Sequence, residues 1–203
     1  ACALLHDTGR YTQLRDFGTF QDSKSFDHAL QAVKIVVAEG WLDELPTHER
    51  QWILRAVAVH NKKVVPCAME AWPARWVHLV RDADKLDIFR VMETAVRDGS
   101  LERNPEIAWG LQVRGAPSPA VVESVRQGLP VSYGWIRTLS DFVLIQVGWM
   151  NGGLHFPTSY RLARERRALE FREAYLKTLS DDAGVDLCCA AARERLAAAS
   201  PRA

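Results

Sequence analysis

Residues 4–10 read Leu-Leu-His-Asp-Thr-Gly-Arg, so an imidazole stands beside a carboxylate at the end of an apolar run. His6 and Asp7 are side chains of the kinds that bind metal ions. We expect the residues before them to form the last turns of a helix that Gly9 terminates. The stretch therefore predicts a metal-binding pair at a helix end.

Three later segments supply further metal-binding side chains in order along the chain. They are Asp27-His28-Ala29, His60-Asn61-Lys62 and Arg81-Asp82-Ala83-Asp84-Lys85-Leu86-Asp87. A lone histidine on a helix face is usually an ordinary core or surface residue. A divalent ion that activates water needs several ligands from different elements, so the combination indicates a metal site more strongly than any one segment does.

Helical periodicity places these residues on separate elements. The apolar positions of residues 25–40 predict a helix that carries His28 in its first turns, with Ser25 or Asp27 as its cap. The next predicted helix directs His60 toward the core. A long helix after it, predicted to end at Val96, carries Asp84.

The rest of the chain is also predicted to be helical, without a strand period. Residues 11–24 lack clean periodicity, and we expect them to form a surface loop that is one wall of a pocket at the predicted metal site. Further helices are predicted over residues 139–149 and 160–179. We therefore predict an all-α fold, with a single domain over residues 1–180 and an Ala- and Arg-rich tail over residues 181–203.

The composition is that of an ordinary globular protein. Of its 203 residues 48% are hydrophobic and 25% charged, and 26 Lys and Arg against 25 Asp and Glu give a formal charge of +1. This balance argues against a protein that coats nucleic acid, so we expect anions to be bound only locally.

Cysteine usage and hydropathy indicate the compartment. Cys2, Cys67, Cys188 and Cys189 match no zinc ribbon, no CxxC redox pair and no disulfide framework. No apolar run reaches the roughly 18 residues of a transmembrane helix. We therefore expect a cytoplasmic protein without membrane attachment that forms either monomers or homo-oligomers.

The order His-Asp, His, His and then Asp within Asp-Ala-Asp-Lys-Leu-Asp resembles the HD-domain superfamily of metal-dependent phosphohydrolases. The resemblance covers about residues 1–96. It implies an HD-type helical bundle, here with a C-terminal helical extension. Members of this superfamily carry another metal-binding histidine before the His-Asp pair, so we expect the natural protein to have residues upstream of Ala1.

The resemblance also implies the ligands. His6, Asp7 and Asp84 would hold a principal ion, and His28 and His60 a second one. The ion or ion pair would be Fe, Mn, Zn, Co, Ni or Mg, because imidazole and carboxylate ligands suit several divalent metals.

The implied reaction is hydrolysis of a phosphoester by metal-activated water, with a nucleotide as the expected substrate. Asp7 would also help to orient the water. The side chains expected to neutralise phosphate oxygens, or else to form an ordinary solvated surface, are Arg10, Lys62, Arg81 and Lys85. Two alternatives remain, namely a degenerate HD module that binds a nucleotide or a protein without catalysis and, less in keeping with the charge, a nucleic-acid-binding protein.

Overall fold

The computed structural model describes residues 1–65, 71–111 and 114–199. All regular elements in these ranges are helical, which confirms the predicted all-α class. Cys67 lies outside the described residues.

The contacts divide the chain into two compact units, Ala1–Asp84 and Lys85–Ala203. All five predicted metal ligands belong to the first unit. The single domain over residues 1–180 stays a prediction, since compactness alone does not decide whether a unit folds independently.

Short helices form the first unit. They are α1 (Cys2–Leu5), α2 (Thr8–Phe17), a 3₁₀ turn (Asp22–Lys24), α3 (His28–Ala38), α4 (Thr47–Val59) and the first part of α5 (Ala71–Arg97). Helix α3 packs against both α2 and α4, and α1 packs against α4. The hydrophobic cluster at the core of the first unit consists of Leu5, Ala32, Val36, Leu42 and Val57.

The prediction of a surface loop over residues 11–24 is wrong for residues 11–17, because α2 extends from Thr8 to Phe17. Gly9 does not end a helix but lies in the first turn of this one. The buried residues of α2 are Gly9 and Gln13, four positions apart. A helix that buries a glycine and an amide shows no apolar stripe, and hydrophobic periodicity therefore did not reveal it.

Gly9 is where α2 approaches α3 most closely. A Cβ atom on Gly9 would lie 2.1 Å from the carbonyl oxygen of His28 and 2.9 Å from the amide nitrogen of Ala32. Both contacts are to the backbone, which cannot rotate away. We expect Gly9→Ala to destabilise the protein by about 2–3 kcal/mol, measured by chemical denaturation, because the two helices must separate.

Gly134→Ala is the control for that substitution. A Cβ atom there would contact only the Ser132 hydroxyl, at 3.8 Å. If Gly9→Ala is no less stable than Gly134→Ala, the close approach of α2 and α3 does not constrain this part of the fold.

The start of α3 and the end of α4 position two of the histidines. Asp27, one of the two predicted caps, accepts hydrogen bonds from the backbone amides of Ala29 at 3.0 Å and Leu30 at 3.2 Å. His28 is consequently the first residue of α3. His60 caps the C-terminus of α4, one residue after its last turn.

The second unit contains the rest of α5 and six further helices in its described residues. They are α6 (Ser100–Arg103), α7 (Pro119–Arg126), α8 (Leu139–Gly148), α9 (Pro157–Glu165), α10 (Ala168–Leu179) and α11 (Ala183–Ala199). Helix α8 is buried along nearly its whole length and packs against α7, α10 and α11. A π-helical turn (Trp149–Gly153) follows α8 and packs against α11.

Two features of this unit differ from the sequence-based expectation. The helix predicted over residues 160–179 is divided at Arg167, which has a left-handed backbone with φ of 55°. The expected tail contains α11, and α11 buries Val185, Cys188, Cys189, Ala192 and Leu196 in the core. None of the described helices has the length and apolarity that crossing a bilayer requires.

Candidate metal centre

Three imidazoles converge in the first unit. The Nε2 atoms of His28 and His60 are 3.1 Å apart, and both side chains are almost fully buried. The ring of His6 meets that of His60 edge to face, with centroids 4.9 Å apart. The histidines come from the end of α1, the start of α3 and the end of α4.

Each of these imidazoles uses its Nδ1 atom for a contact within the protein. His6 Nδ1 lies 2.9 Å from the Ala3 carbonyl, and His60 Nδ1 lies 2.7 Å from the Val57 carbonyl. His28 Nδ1 lies 2.7 and 2.8 Å from the two carboxylate oxygens of Asp22. Carbonyl and carboxylate oxygens only accept hydrogen bonds, so Nδ1 carries the proton in each ring and a neutral ring presents a bare Nε2 lone pair.

Two bare nitrogen lone pairs 3.1 Å apart repel each other unless a cation lies between or beside them. Two imidazole nitrogens bound to one ion at about 2.1 Å lie roughly 3.0–3.4 Å apart for ligand angles from a right angle to tetrahedral. The separation of the His28 and His60 nitrogens falls in this range. The residues present therefore fit a divalent metal ion.

Two carboxylates complete the donor set. Asp7 Oδ1 lies 3.4 Å from His28 Nε2 and 3.7 Å from His60 Nε2, and Asp7 Oδ2 lies 3.5 Å from His6 Nε2. Asp84 Oδ1 lies 3.7 Å from His6 Nε2. The structure thus brings all five predicted ligands together.

The grouping of these ligands differs from the one that the resemblance implies. Donor atoms of His6, Asp7 and His60 all lie within 4.8 Å of one another. The expected grouping assigned His60 to the second ion, and His6 and Asp7 to the principal one. Asp7 has a carboxylate oxygen within 3.7 Å of Nε2 of each imidazole, so it would take part in holding a metal ion with any of them.

Charges within the cluster favour its ionised forms. Burial alone would raise the pKa of Asp7, but the neighbouring imidazoles of His60 and His6 and the charge of Arg10 outweigh it and hold that pKa far below its usual range. Burial alone would lower the pKa of His6, yet Asp84 and Asp7 raise it above its ordinary value. The carboxylates therefore attract a positive charge to this cluster.

Two of the predicted phosphate-binding cations contact acidic residues. Arg10 lies 3.5 Å from Asp7 and 3.4 Å from Asp22, and it donates to the Phe20 carbonyl at 2.6 Å. Lys62 donates to the carboxylate of Asp27. Both side chains are at least partly exposed.

The other two donate to backbone carbonyls. Arg81 donates to the carbonyl of His60 at 3.0 Å and to that of Lys62. Lys85 is the first residue of the second unit, where its ammonium donates to the Gly153 carbonyl. The structure therefore places Arg10, Lys62 and Arg81 among the metal-centre elements and gives Lys85 a contact in the other unit.

Asp22 contacts the centre, and sequence analysis did not select it. Besides His28, it accepts hydrogen bonds from the amides of Gln13 at 2.9 Å and Asn61 at 3.0 Å. Burial alone would raise its pKa, but hydrogen bonding and the charges of His28 and Arg10 lower it to about 2. The buried Oδ1 of Asn61 has no hydrogen-bond partner within the described residues. Asn61 could have been selected from the sequence, because it directly follows the predicted ligand His60.

Comparison of the chain with family models, curated proteins and solved structures gave no match. The resemblance to the HD superfamily therefore consists only of the types of these residues and their order along the chain.

Proposed function

We propose that this protein is a cytoplasmic, HD-type, divalent-metal-dependent phosphohydrolase that acts on a nucleotide or another small phosphoester. The observation that carries the proposal is the pair of buried Nε2 atoms of His28 and His60, which face each other at 3.1 Å beside the carboxylate of Asp7. A metal ion bound by both nitrogens would relieve the repulsion between their lone pairs, and the surrounding ligands suit a transition metal.

His6, Asp7, His28, His60 and Asp84 would hold the metal. A bound divalent ion would lower the pKa of a water molecule toward neutrality and stabilise negative charge on phosphoryl oxygens. The exposures of the ligands indicate the side from which substrate arrives. The side chains of His28 and His60 are 3% and 1% exposed, whereas that of Asp7 is 45% exposed.

Asp7 would orient the attacking water. Its lowered pKa keeps the carboxylate ionised at neutral pH, and an ionised carboxylate accepts a hydrogen bond from water. Arg10 lies on the same side and would supply positive charge near a phosphate group. Its contacts with Asp7 and Asp22 would have to loosen for that purpose.

A second candidate is a metal-holding module that binds a nucleotide or a partner protein without turnover. The contacts of the predicted phosphate-binding cations favour it, because acceptors within the protein already engage Arg10, Lys62 and Arg81. Such a module would bind the metal ion yet fail to hydrolyse phosphoesters.

The test is to measure metal content and hydrolysis in the same preparations. The purified chain is reconstituted with Mn, Fe, Zn, Co, Ni or Mg, analysed for metal per chain, and assayed on nucleoside monophosphates, triphosphates and cyclic nucleotides. We expect one or two ions per chain and hydrolysis of at least one substrate class. We expect Asp84→Ala to lose at least one ion and about 100-fold or more in rate, because removing even a residue that orients a ligand costs 10- to 100-fold.

Asp87→Ala is the matched control. Asp87 lies one turn further along α5, is largely exposed and pairs with Arg90 at 3.1 Å, so its removal should change neither metal content nor rate. Metal binding without hydrolysis would favour the binding module. A chain that takes up none of the six metals would contradict both candidates.

A further inference from the structure

Asp22 lies outside every motif that resembles the HD superfamily, yet it contacts the most buried part of the centre. It belongs to the 3₁₀ turn Asp22–Lys24, six residues before His28. Both of its carboxylate oxygens lie within 2.8 Å of His28 Nδ1. An ionised carboxylate can only accept, so this contact places the ring proton on Nδ1.

The position of that proton decides what His28 presents to the centre. With the proton on Nδ1, the Nε2 lone pair is free to bind a metal. With the proton on Nε2, the ring would donate to His60 Nε2, which is 3.1 Å away, and both nitrogens would then be blocked. One hydrogen bond therefore separates an open centre from a closed one.

Other side chains fix Asp22 in this role. Gln13, which is fully buried, donates to Oδ1 at 2.9 Å, and Asn61 donates to Oδ2 at 3.0 Å. Arg10 lies 3.4 Å from Oδ1. These donors hold the carboxylate in place and compensate its charge, so it remains a pure acceptor for His28.

We propose that Asp22 is a positioning residue that sets the tautomer of His28 and so keeps Nε2 of His28 available to the metal centre. The inference deepens the proposed function and rests on it for its purpose. The tautomer itself is a property of the metal-free protein and can be measured independently of any ion.

The first measurement is ¹⁵N nuclear magnetic resonance of the full chain with labelled histidine, prepared metal-free near neutral pH. A His28→Gln variant identifies the signals of His28. We expect a protonated Nδ1 and an unprotonated Nε2 in the original chain. In Asp22→Ala we expect the proton to shift to Nε2, whereas Asp22→Asn should restore the Nδ1 form because its amide oxygen still accepts.

The second measurement is metal affinity of the same variants. We expect Asp22→Ala to weaken the binding of at least one ion by about 10- to 100-fold, the usual effect of removing a residue that orients a metal-binding histidine. Asp16→Ala is the control, because Asp16 is an exposed carboxylate on α2 that pairs with Arg15. It should change neither the tautomer nor the affinity.

A further variant separates positioning from direct ligation. Oxygen atoms of Asp22 and Asp27 could hold an ion together with a nitrogen of His28. Asp27→Asn preserves the helix cap, since asparagine caps as well as aspartate. If Asp27→Asn loses the same ion as Asp22→Ala, Asp22 binds metal directly and the positioning role is wrong.

An unchanged His28 tautomer in Asp22→Ala would also overturn the inference. The following result would contradict the proposed function but not the role of Asp22. If the original chain binds no metal but the tautomer still shifts in Asp22→Ala, the hydrogen-bond control of His28 holds and the phosphohydrolase proposal fails.

Discussion

Replacing His60 by alanine is expected to abolish the stabilisation of the protein by metal ions. His60 Nε2 is one of the two buried nitrogens that face each other, and it also lies 3.7 Å from Asp7. A ligand present at 100 times its dissociation constant stabilises a folded protein by about 2.7 kcal/mol. The original chain should gain this much in chemical denaturation with metal, and His60→Ala should gain nothing at the same concentration.

His48→Ala is the control on the same helix. The side chain of His48 is 63% exposed near the start of α4 and packs beside Trp52, far along the helix from the centre. This variant should retain the full gain from metal. If His60→Ala is stabilised as much as His48→Ala, the facing imidazoles do not bind the ion.

Replacing Arg172 by alanine is expected to give the largest loss of stability in the second unit. Arg172 is fully buried, and it donates to Gln146 at 2.9 Å and to the carbonyls of Ala168 at 2.8 Å and Phe89 at 3.0 Å. Its guanidinium also lies 4.2 Å from the centre of the Phe89 ring. Alanine would leave a cavity and three acceptors without their donor, at a cost of about 3–5 kcal/mol.

Two further variants separate the causes of that loss. Arg172→Met keeps most of the side-chain volume, so its loss of stability measures the cost of the unpaired acceptors. This cost is offset by removal of the buried charge, because burial disfavours the charged guanidinium and lowers the pKa of Arg172 to about 9. Arg161→Ala removes an exposed arginine of α9 and should change the free energy of unfolding by less than about 0.5 kcal/mol. A fully stable Arg172→Met would show that the buried hydrogen bonds stabilise the fold by no more than the burial of the charge costs.

Helices with apolar faces were predictable from the sequence. The long helix predicted to end at Val96 extends to Arg97, and the helix carrying His28 begins three residues after its predicted first residue. Helix α2 was not predictable in this way, since its buried positions are Gly9 and Gln13. Their burial depends on the backbone of α3 and on Asp22, which are distant in sequence.

The second unit shows the same limit. Arg172 occupies a position on the apolar stripe of α10, between Leu169 and Leu176, but an arginine there is normally read as a surface residue. Helix α11 resembled a tail because its buried face contains small residues, including Cys188 and Ala192. Burial of such residues is decided by the elements around them.

In the candidate site, the predicted ligands could be selected from the sequence, but the side chains that contact them could not. His6, Asp7, His28, His60 and Asp84 were selected from the sequence by residue type and order, and the structure brings them together. The side chains around these ligands were not selected. Asp22 and Asn61 act through contacts that span 6 and 39 residues, and no local pattern encodes such contacts.

The hydrogen bonds at Nδ1 of His6, His28 and His60 also bear on how fast an ion enters the centre. A free imidazole exchanges between two tautomers and several ring orientations, and a site built of such rings must wait for them to align. Here the rings are held before the ion arrives, so entry should be limited by loss of water from the ion. Mg²⁺ releases its water reluctantly. The centre should therefore load Mn²⁺ and Zn²⁺ faster than Mg²⁺, and the metal acquired first in the cell would depend on rates of dehydration as well as on affinities.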